Sequence, residues 1–341
     1  MKKILCICAW LCYCFNSSAQ TDTTAKNMDE VIIYSGKFAE RKKNIAQKIE
    51  VISARQIAQW NTQNTGDLLI NTGNVFVQKS QQGGSSPVIR GFEASRVLLV
   101  VDGIRLNNAI YRAGHLQNVI TVDQNSLEGI EVMYGPGSTL YGSDALGGVV
   151  LMRTKQPKLS LGNELLATGS AFIRYSSANQ EKTAHTDISI GGRKFAWLQA
   201  FNYSDFGDMK MGNNYPAQYP NFGRRSQFIT RINGFDSIVT NPDDRVQKFS
   251  GYRQWDLTQK FLYRQSDRIT HSLNLQHSNS TNVPRYDRLQ DIRNGALRYA
   301  EWFYGPQTRY LGAYEFNAKD LGFLNALRLN VNYQKIEESR H

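Results

Sequence analysis

From Leu165 onward the sequence alternates with a period of two. Between Arg268 and Ser278 the odd positions Ile269, Leu273 and Leu275 are apolar, while Thr270, Ser272, Asn274 and Gln276 are polar. The same period carries Phe195, Trp197, Phe201 and Tyr203, then Trp255, Leu257, Phe261 and Tyr263, then Phe323, Leu327, Leu329, Val331 and Tyr333. Successive side chains of a strand point to opposite faces, so each segment predicts a strand with one apolar face. Seven such segments are present. Aromatic residues recur at their ends, where the strands of a membrane barrel cross the interface with water.

The connections argue against a soluble sandwich. A long stretch, Gly207 to Gly251, is followed by a tight turn at Gln265 to Arg268, another long stretch from Ser280 to Gln307, and a tight turn near Lys319 and Asp320. Barrels of the outer membrane alternate in this way, with short turns on one side and extended loops on the other. The expected fold is therefore an antiparallel transmembrane β-barrel over residues 156–341, preceded by an α+β domain. Such barrels have an even number of strands, and a lumen that holds a domain of about 110 residues needs about 22 of them. With seven strands and no terminal aromatic strand, the chain is expected to be the N-terminal fragment of a longer protein.

Residues 44–155 have a different texture, with short mixed signals and many glycines. Lys48 to Ile52 reads as a strand, Ser53 as the cap of a helix running toward Trp60, and Asn64 to Leu69 as a second helix. Val97 to Val101 is five apolar residues ending at Asp102-Gly103, the pattern of a buried strand before a turn, and Leu127 to Met133 reads as another strand.

At the N-terminus, Met1-Lys2-Lys3, an apolar run from Ile4 to Phe15 and the small residues up to Ala19 have the three parts of a signal peptide, residues 1–19. The run of about 12 residues is short of the roughly 20 that span a bilayer as a helix. All four cysteines lie inside this leader, which excludes disulfides, thiolate metal sites and cysteine nucleophiles from the remainder. The charge of +11 falls to +9 without Lys2 and Lys3 and is spread along an exported chain, so nucleic acid is not an expected partner. A mean hydropathy of −0.46 is compatible with a barrel, whose strands are apolar on one face only. Gly135 to Gly148 lacks the Gly-Lys-Ser/Thr ending and the Gly-x-Gly-x-x-Gly of phosphate loops, and no nucleophile and base are paired. No catalytic residues are expected and the chain is not read as an enzyme; Arg90, Glu128, Glu131 and Asp144 are expected to contact the barrel wall.

Ser85 to Phe92 (SSPVIRGF), Val97 to Asn107 (VLLVVDGIRLN) and Leu127 to Lys155 (LEGIEVMYGPGSTLYGSDALGGVVLMRTK) resemble the plug domain of TonB-dependent outer-membrane receptors. The resemblance runs from Asp29 to Lys155. It implies that Asp29, Glu30, Val31, Ile32, Ile33 and Tyr34, within an N-terminal tail of residues 20–43, form the TonB box. This segment is strongly β-prone yet has no evident strand partner nearby. Such a tail suits capture by β-augmentation, in which an extended peptide adds to a sheet edge. The implied partners are TonB with ExbB and ExbD at the inner membrane, and outer-membrane lipid around the barrel. The implied location is the outer membrane of a Gram-negative bacterium, and the implied activity is active transport. A passive porin would need neither box nor plug, and an adhesin would not depend on the box.

For cargo, His115 resembles the plug histidine of the haem-receptor branch, and an imidazole is a good axial ligand for haem iron. Residues 282–289 and 297–307 resemble the haemoglobin, transferrin and lactoferrin receptor group. They place Arg285, Tyr286, Arg298, Tyr299, Trp302 and Tyr304 on an extracellular loop that would meet haem or a host haem-carrying protein. Haem is thus the expected transported ligand, with no intrinsic cofactor. A ferric siderophore or cobalamin is the alternative. His271 and His277 share the outward face with Leu273 and Leu275, and nothing pairs His185 with His115.

Overall fold

The computed structural model describes residues 45, 47–79, 82–106, 119–322 and 324–341, together with the backbone of 32–33 and 40–41. The signal-peptide segment, Asp29 to Val31, Tyr34 and His115 lie outside the described residues.

β1 (Ile32–Ile33) pairs antiparallel with β2 (Glu40–Arg41), Ile32 opposite Arg41 and Ile33 opposite Glu40. This corrects the expectation that the segment has no neighbour to pair with. A ladder of two residue pairs is marginal in water by itself.

The α/β domain is built on a five-stranded sheet in the order β3-β8-β9-β6-β7. Its strands are β3 (Ile49–Ser53), β6 (Val97–Val101), β7 (Ile104–Arg105), β8 (Leu127–Tyr134) and β9 (Gly148–Thr154), and a separate pair joins β4 (Phe76–Gln78) to β5 (Ser86–Val88). All five residues of β6 are buried, because it lies inside the sheet with helices and loops over its faces. It pairs parallel with β9, while the other neighbours are antiparallel. Ser53 opens the helix Ala54–Trp60 with a capping box, its side chain accepting from Gln56 while Gln56 reaches back to the Ser53 backbone. Asn64 caps the helix Thr65–Ile70 through its side-chain oxygen, which accepts from Asp67 N at 2.9 Å. The core between these helices and the sheet contains Ile52, Leu68, Leu69, Leu99, Ile130 and Met152.

The second sheet has seven strands, β10 (Leu166–Ser176), β11 (Glu181–Gly191), β12 (Phe195–Phe206), β15 (Tyr252–Arg264), β16 (Ile269–Ser280), β21 (Thr308–Lys319) and β22 (Ala326–Glu337). Each pairs antiparallel with the next, and each is 11 to 13 residues long, enough to cross a bilayer at a tilt. Two of the connections carry structure of their own. Residues 207–251 contain a hairpin, β13 (Gln227–Ile232) and β14 (Phe235–Thr240). Residues 281–307 contain β17 (Val283–Pro284) paired with β20 (Phe303–Tyr304), a helical turn at Tyr286–Leu289, and β18 (Ile292–Arg293) paired with β19 (Ala296–Leu297).

The strict alternation of long and short connections fails once. The connection between β10 and β11, on the same side as the two long loops, is only residues 177–180, a tight turn in which Gln180 takes a positive φ of 50°.

Candidate functional site

The two sheets meet along a seam, and the alternation of the wall strands decides which side chains reach it. On β15 and β16 the even-numbered residues face the α/β domain, so Lys260, Asn274 and Gln276 are drawn to one point. That point is Asp102. Asp102 and Gly103 form the two-residue turn between β6 and β7 with φ of 50° and 82°, the geometry of a hairpin that accepts Asp-Gly. The Asp102 carboxylate accepts from Thr154 N at 3.0 Å, Thr154 Oγ1 at 2.6 Å, Asn274 Nδ2 at 2.9 Å and Gln276 Nε2 at 3.1 Å. Lys260 Nζ lies 2.9 Å away as its counter-charge, and both side chains are almost wholly buried. Burial pushes the Asp102 carboxyl up, but the Lys260 ammonium and the Thr154 hydrogen bonds outweigh it and hold the group below its ordinary value.

Residues 120–125 form a second strip. Gln254 Nε2 donates to Ile120 O at 2.6 Å, Arg309 donates to Thr121 O through Nε at 3.2 Å and Nη2 at 3.0 Å, and Asn125 Nδ2 donates to Asn202 Oδ1 at 3.1 Å. His185 faces inward here, with Nδ1 3.7 Å from Asp123 of the α/β domain and Nε2 3.3 Å from Asp187 of its own strand. Asp187 also holds Lys155 at 2.7 Å.

A third strip joins the helix ends to β10 and β11. Arg174 donates to Thr62 O at 2.9 Å and pairs with Glu181 at 2.7 Å, and Gln63 Nε2 donates to Glu181 at 2.6 Å and to Asn179 at 3.1 Å. Among the described residues, two small buried apolar groups join the α/β domain to the second sheet and its loops, Ile120 with Phe206, Tyr252 and Val283, and Ile104 with Leu311 and Ala313.

These anchors are not the charges expected to touch the wall. Asp144 pairs with Arg105 at 2.5 Å, Glu128 lies 3.6 Å from Arg153, and Arg90 sits over the Tyr134 ring, all inside the α/β domain. In the sequence Asp102 read only as a turn signal. The available clue to its second role was the polar face of Arg268 to Ser278, which a strand with one apolar face must turn toward something polar.

The tail candidates Ile32 and Ile33 are described by backbone pairing alone. The tail leads to β3, an edge strand of the five-stranded sheet. His115 lies outside the described residues, but the backbone on both sides of 107–118 is held by the wall, through Gln334 donating to Arg105 O at 2.8 Å and through the bonds to Ile120 and Thr121.

The loop candidates do come together. Arg285 donates to the Tyr304 hydroxyl at 3.1 Å and pairs with Asp287 at 2.5 Å, while Tyr299 meets Trp302 edge-on at 4.6 Å. Arg298 stacks over Tyr299, and Arg288 and Arg340 both lie over the Trp302 ring. Tyr286 and Tyr304, expected on an open binding surface, are instead buried. A loop of this length covers its own backbone pairs, and these two rings supply the apolar filling; burial raises the Tyr286 hydroxyl to about 12. Arg298 is exposed, and Tyr299 and Trp302 are half-buried.

Comparison with known proteins now bears on this two-part geometry. Residues 41–149 match the family model of the TonB-dependent receptor plug domain. In fold, the chain with its two sheets is similar to solved transporters. The FrpB iron transporter from Neisseria meningitidis aligns over 86% of this chain and 42% of its own, with a TM-score of 0.65 at 16% identity. The copper transporter OprC aligns over 84% and 37%, with a TM-score of 0.60 at 14% identity. In sequence, the vitamin B12 transporter BtuB of Vibrio vulnificus strain CMCP6 is 35% identical over 220 residues, which is 62% of this chain. The chain spans 34% of that transporter's length.

Proposed function

We propose that the chain is part of a TonB-dependent outer-membrane transporter whose cargo is a cobalamin. The seam carries the transport half of this reading. A plug held in a barrel by hydrogen bonds and buried ion pairs, with little apolar contact, can shift without exposing its core to water. The 35% identity to a vitamin B12 transporter favours cobalamin over haem. The structures of iron and copper transporters share the fold at low identity and support a metal or vitamin ligand in general.

In this reading Asp29 to Tyr34 is captured by TonB, energised through ExbB and ExbD, and the cargo binds on the loop side, where Arg298, Tyr299 and Trp302 stand. β1 must leave β2 on the edge at which TonB adds. The loss of two residue pairs is a small cost against a longer intermolecular ladder.

The test is a titration of the full-length protein in detergent with cyanocobalamin and with haemin, beside uptake by cells carrying Ile33→Pro. Saturable cobalamin binding that survives Ile33→Pro, with uptake abolished, is the expected result, because proline removes a ladder donor. A ligated haem spectrum weakened by His115→Ala, without cobalamin binding, would return the cargo to haem. Uptake indifferent to Ile33→Pro would remove the TonB dependence itself.

A further inference from the structure

The connection at 177–180 is short although it stands on the side of the two long loops, and its Asn179 is wholly buried. The burial comes from the plug. Asn179 Nδ2 donates to Gln63 Oε1 at 3.2 Å and to Gln82 Oε1 at 2.8 Å, and Asn179 Oδ1 accepts from Gln63 Nε2 at 3.1 Å.

Gln82, in the connection between β4 and β5, carries the contact onward. Its Nε2 donates to Gly207 O at 2.9 Å and to Ser250 O at 3.0 Å, with Ser250 Oγ at 3.3 Å. Gly207 and Ser250 stand at the two ends of the 207–251 loop. That loop closes its own neck through Asp208, whose Oδ1 accepts from Ser250 N at 2.9 Å and from Gly251 N at 3.3 Å. Turn and loop also meet directly, Lys210 N donating to Ala178 O at 2.6 Å. One plug amide therefore joins the 177–180 turn to both ends of the neighbouring loop.

Gly83 reaches the third connection. A β-carbon at this position would lie 2.7 Å from Val283 Cγ1 and 2.8 Å from Tyr252 Cζ, so only glycine lets the plug backbone come this close. Val283 opens the 281–307 loop and pairs with Tyr304 near its end. Ile120 of the plug packs beside it, among Phe206, Tyr252 and Val283. The necks of all three connections thus rest on the plug. Withdrawal of Gln82 would leave the buried Asn179 amide and the Gly207 and Ser250 carbonyls short of partners, which is costly for buried polar groups.

We propose that Gln82 and Gly83 are positioning residues for the cargo-side loops: the plug holds the necks of three connections, and a plug drawn away from them lets them loosen. The use of this footing rests on the transport reading, but its test needs neither cargo nor TonB, so the two can fail separately. Amide exchange is followed in the full-length protein in detergent. Gln82→Met should speed exchange about tenfold at residues 209–211 and 247–251, with β6 and β8 unchanged. Asn179→Leu, which leaves the plug sequence intact, should release the same residues. Gly83→Ala should instead speed exchange at 283–285 and 303–305. Because Gln82 and Asn179 act on one neck, the double variant Gln82→Met/Asn179→Leu should fall short of the product of the two single effects. Faster exchange confined to residues 79–85, acceleration spread evenly over the plug, or single effects that multiply in full would overturn the proposal.

Discussion

The plug and the wall apply the hydrophobic effect in opposite directions. The plug buries Leu99, Ile130 and Met152 inside and shows polar groups to its surroundings, whereas the wall turns Leu273, Leu275 and Tyr314 outward and keeps Lys260, Gln276 and Arg309 inside. Where the two meet, polar faces polar. The seam is therefore held by directed bonds, which give strength only at specific points, while each part is stabilised by area. Contacts of this kind can break one at a time without opening either core.

The largest effect is expected at Asp102. Asp102→Ala leaves Lys260 buried without a counter-charge, a change that costs about 3–5 kcal/mol. Amide exchange in the detergent-solubilised full protein should accelerate in the β6–β7 hairpin by that equivalent while β8 keeps its protection. Equal loss across the whole plug would show that seam and core are one cooperative unit.

The pH dependence sharpens the same point. The folded-state pKa of Asp102 is held below its ordinary value, so the unfolded state binds the proton more tightly and stability rises with pH. The contribution is complete above the ordinary carboxylate pKa of about 3.9 and is lost as pH falls through the lowered value. Wild type and Asp102→Ala should differ by a constant amount from about pH 5 to about pH 8 and converge in stronger acid.

Leu99→Ala attacks the other side. Leu99 is fully buried, and its truncation costs about 2–5 kcal/mol. The expected loss of protection is centred on β6, β8 and β9, with the wall strands unchanged. Ser53→Ala should have the smallest effect, about 1 kcal/mol from the lost helix cap, and should appear as faster exchange in residues 54–60.

Much of the fold was legible in contiguous residues. The strand at Arg268 to Ser278 follows from its period, the buried strand at Val97 to Val101 from five apolar residues before Asp-Gly, and the helix after Ser53 from its cap. The hairpin inside 207–251 was missed because Asn233-Gly234, though a turn signal, stands in a stretch without regular alternation. The connection at 177–180 was missed because loop length on one side of a barrel is a tendency with no local cause. Tyr286 and Tyr304 looked like surface residues because nothing in their sequence shows that the loop folds over them.

The sequence by itself determined the two architectures, since periodicity, caps and turn residues act between neighbours a few positions apart. Only the tertiary structure decided the seam. Asp102 meets Asn274, 172 positions away, because the register of β16 in its own sheet sets which of its polar side chains reaches the β6–β7 turn. Register is set by the sum of all pairings along two strands, so no single residue announces it.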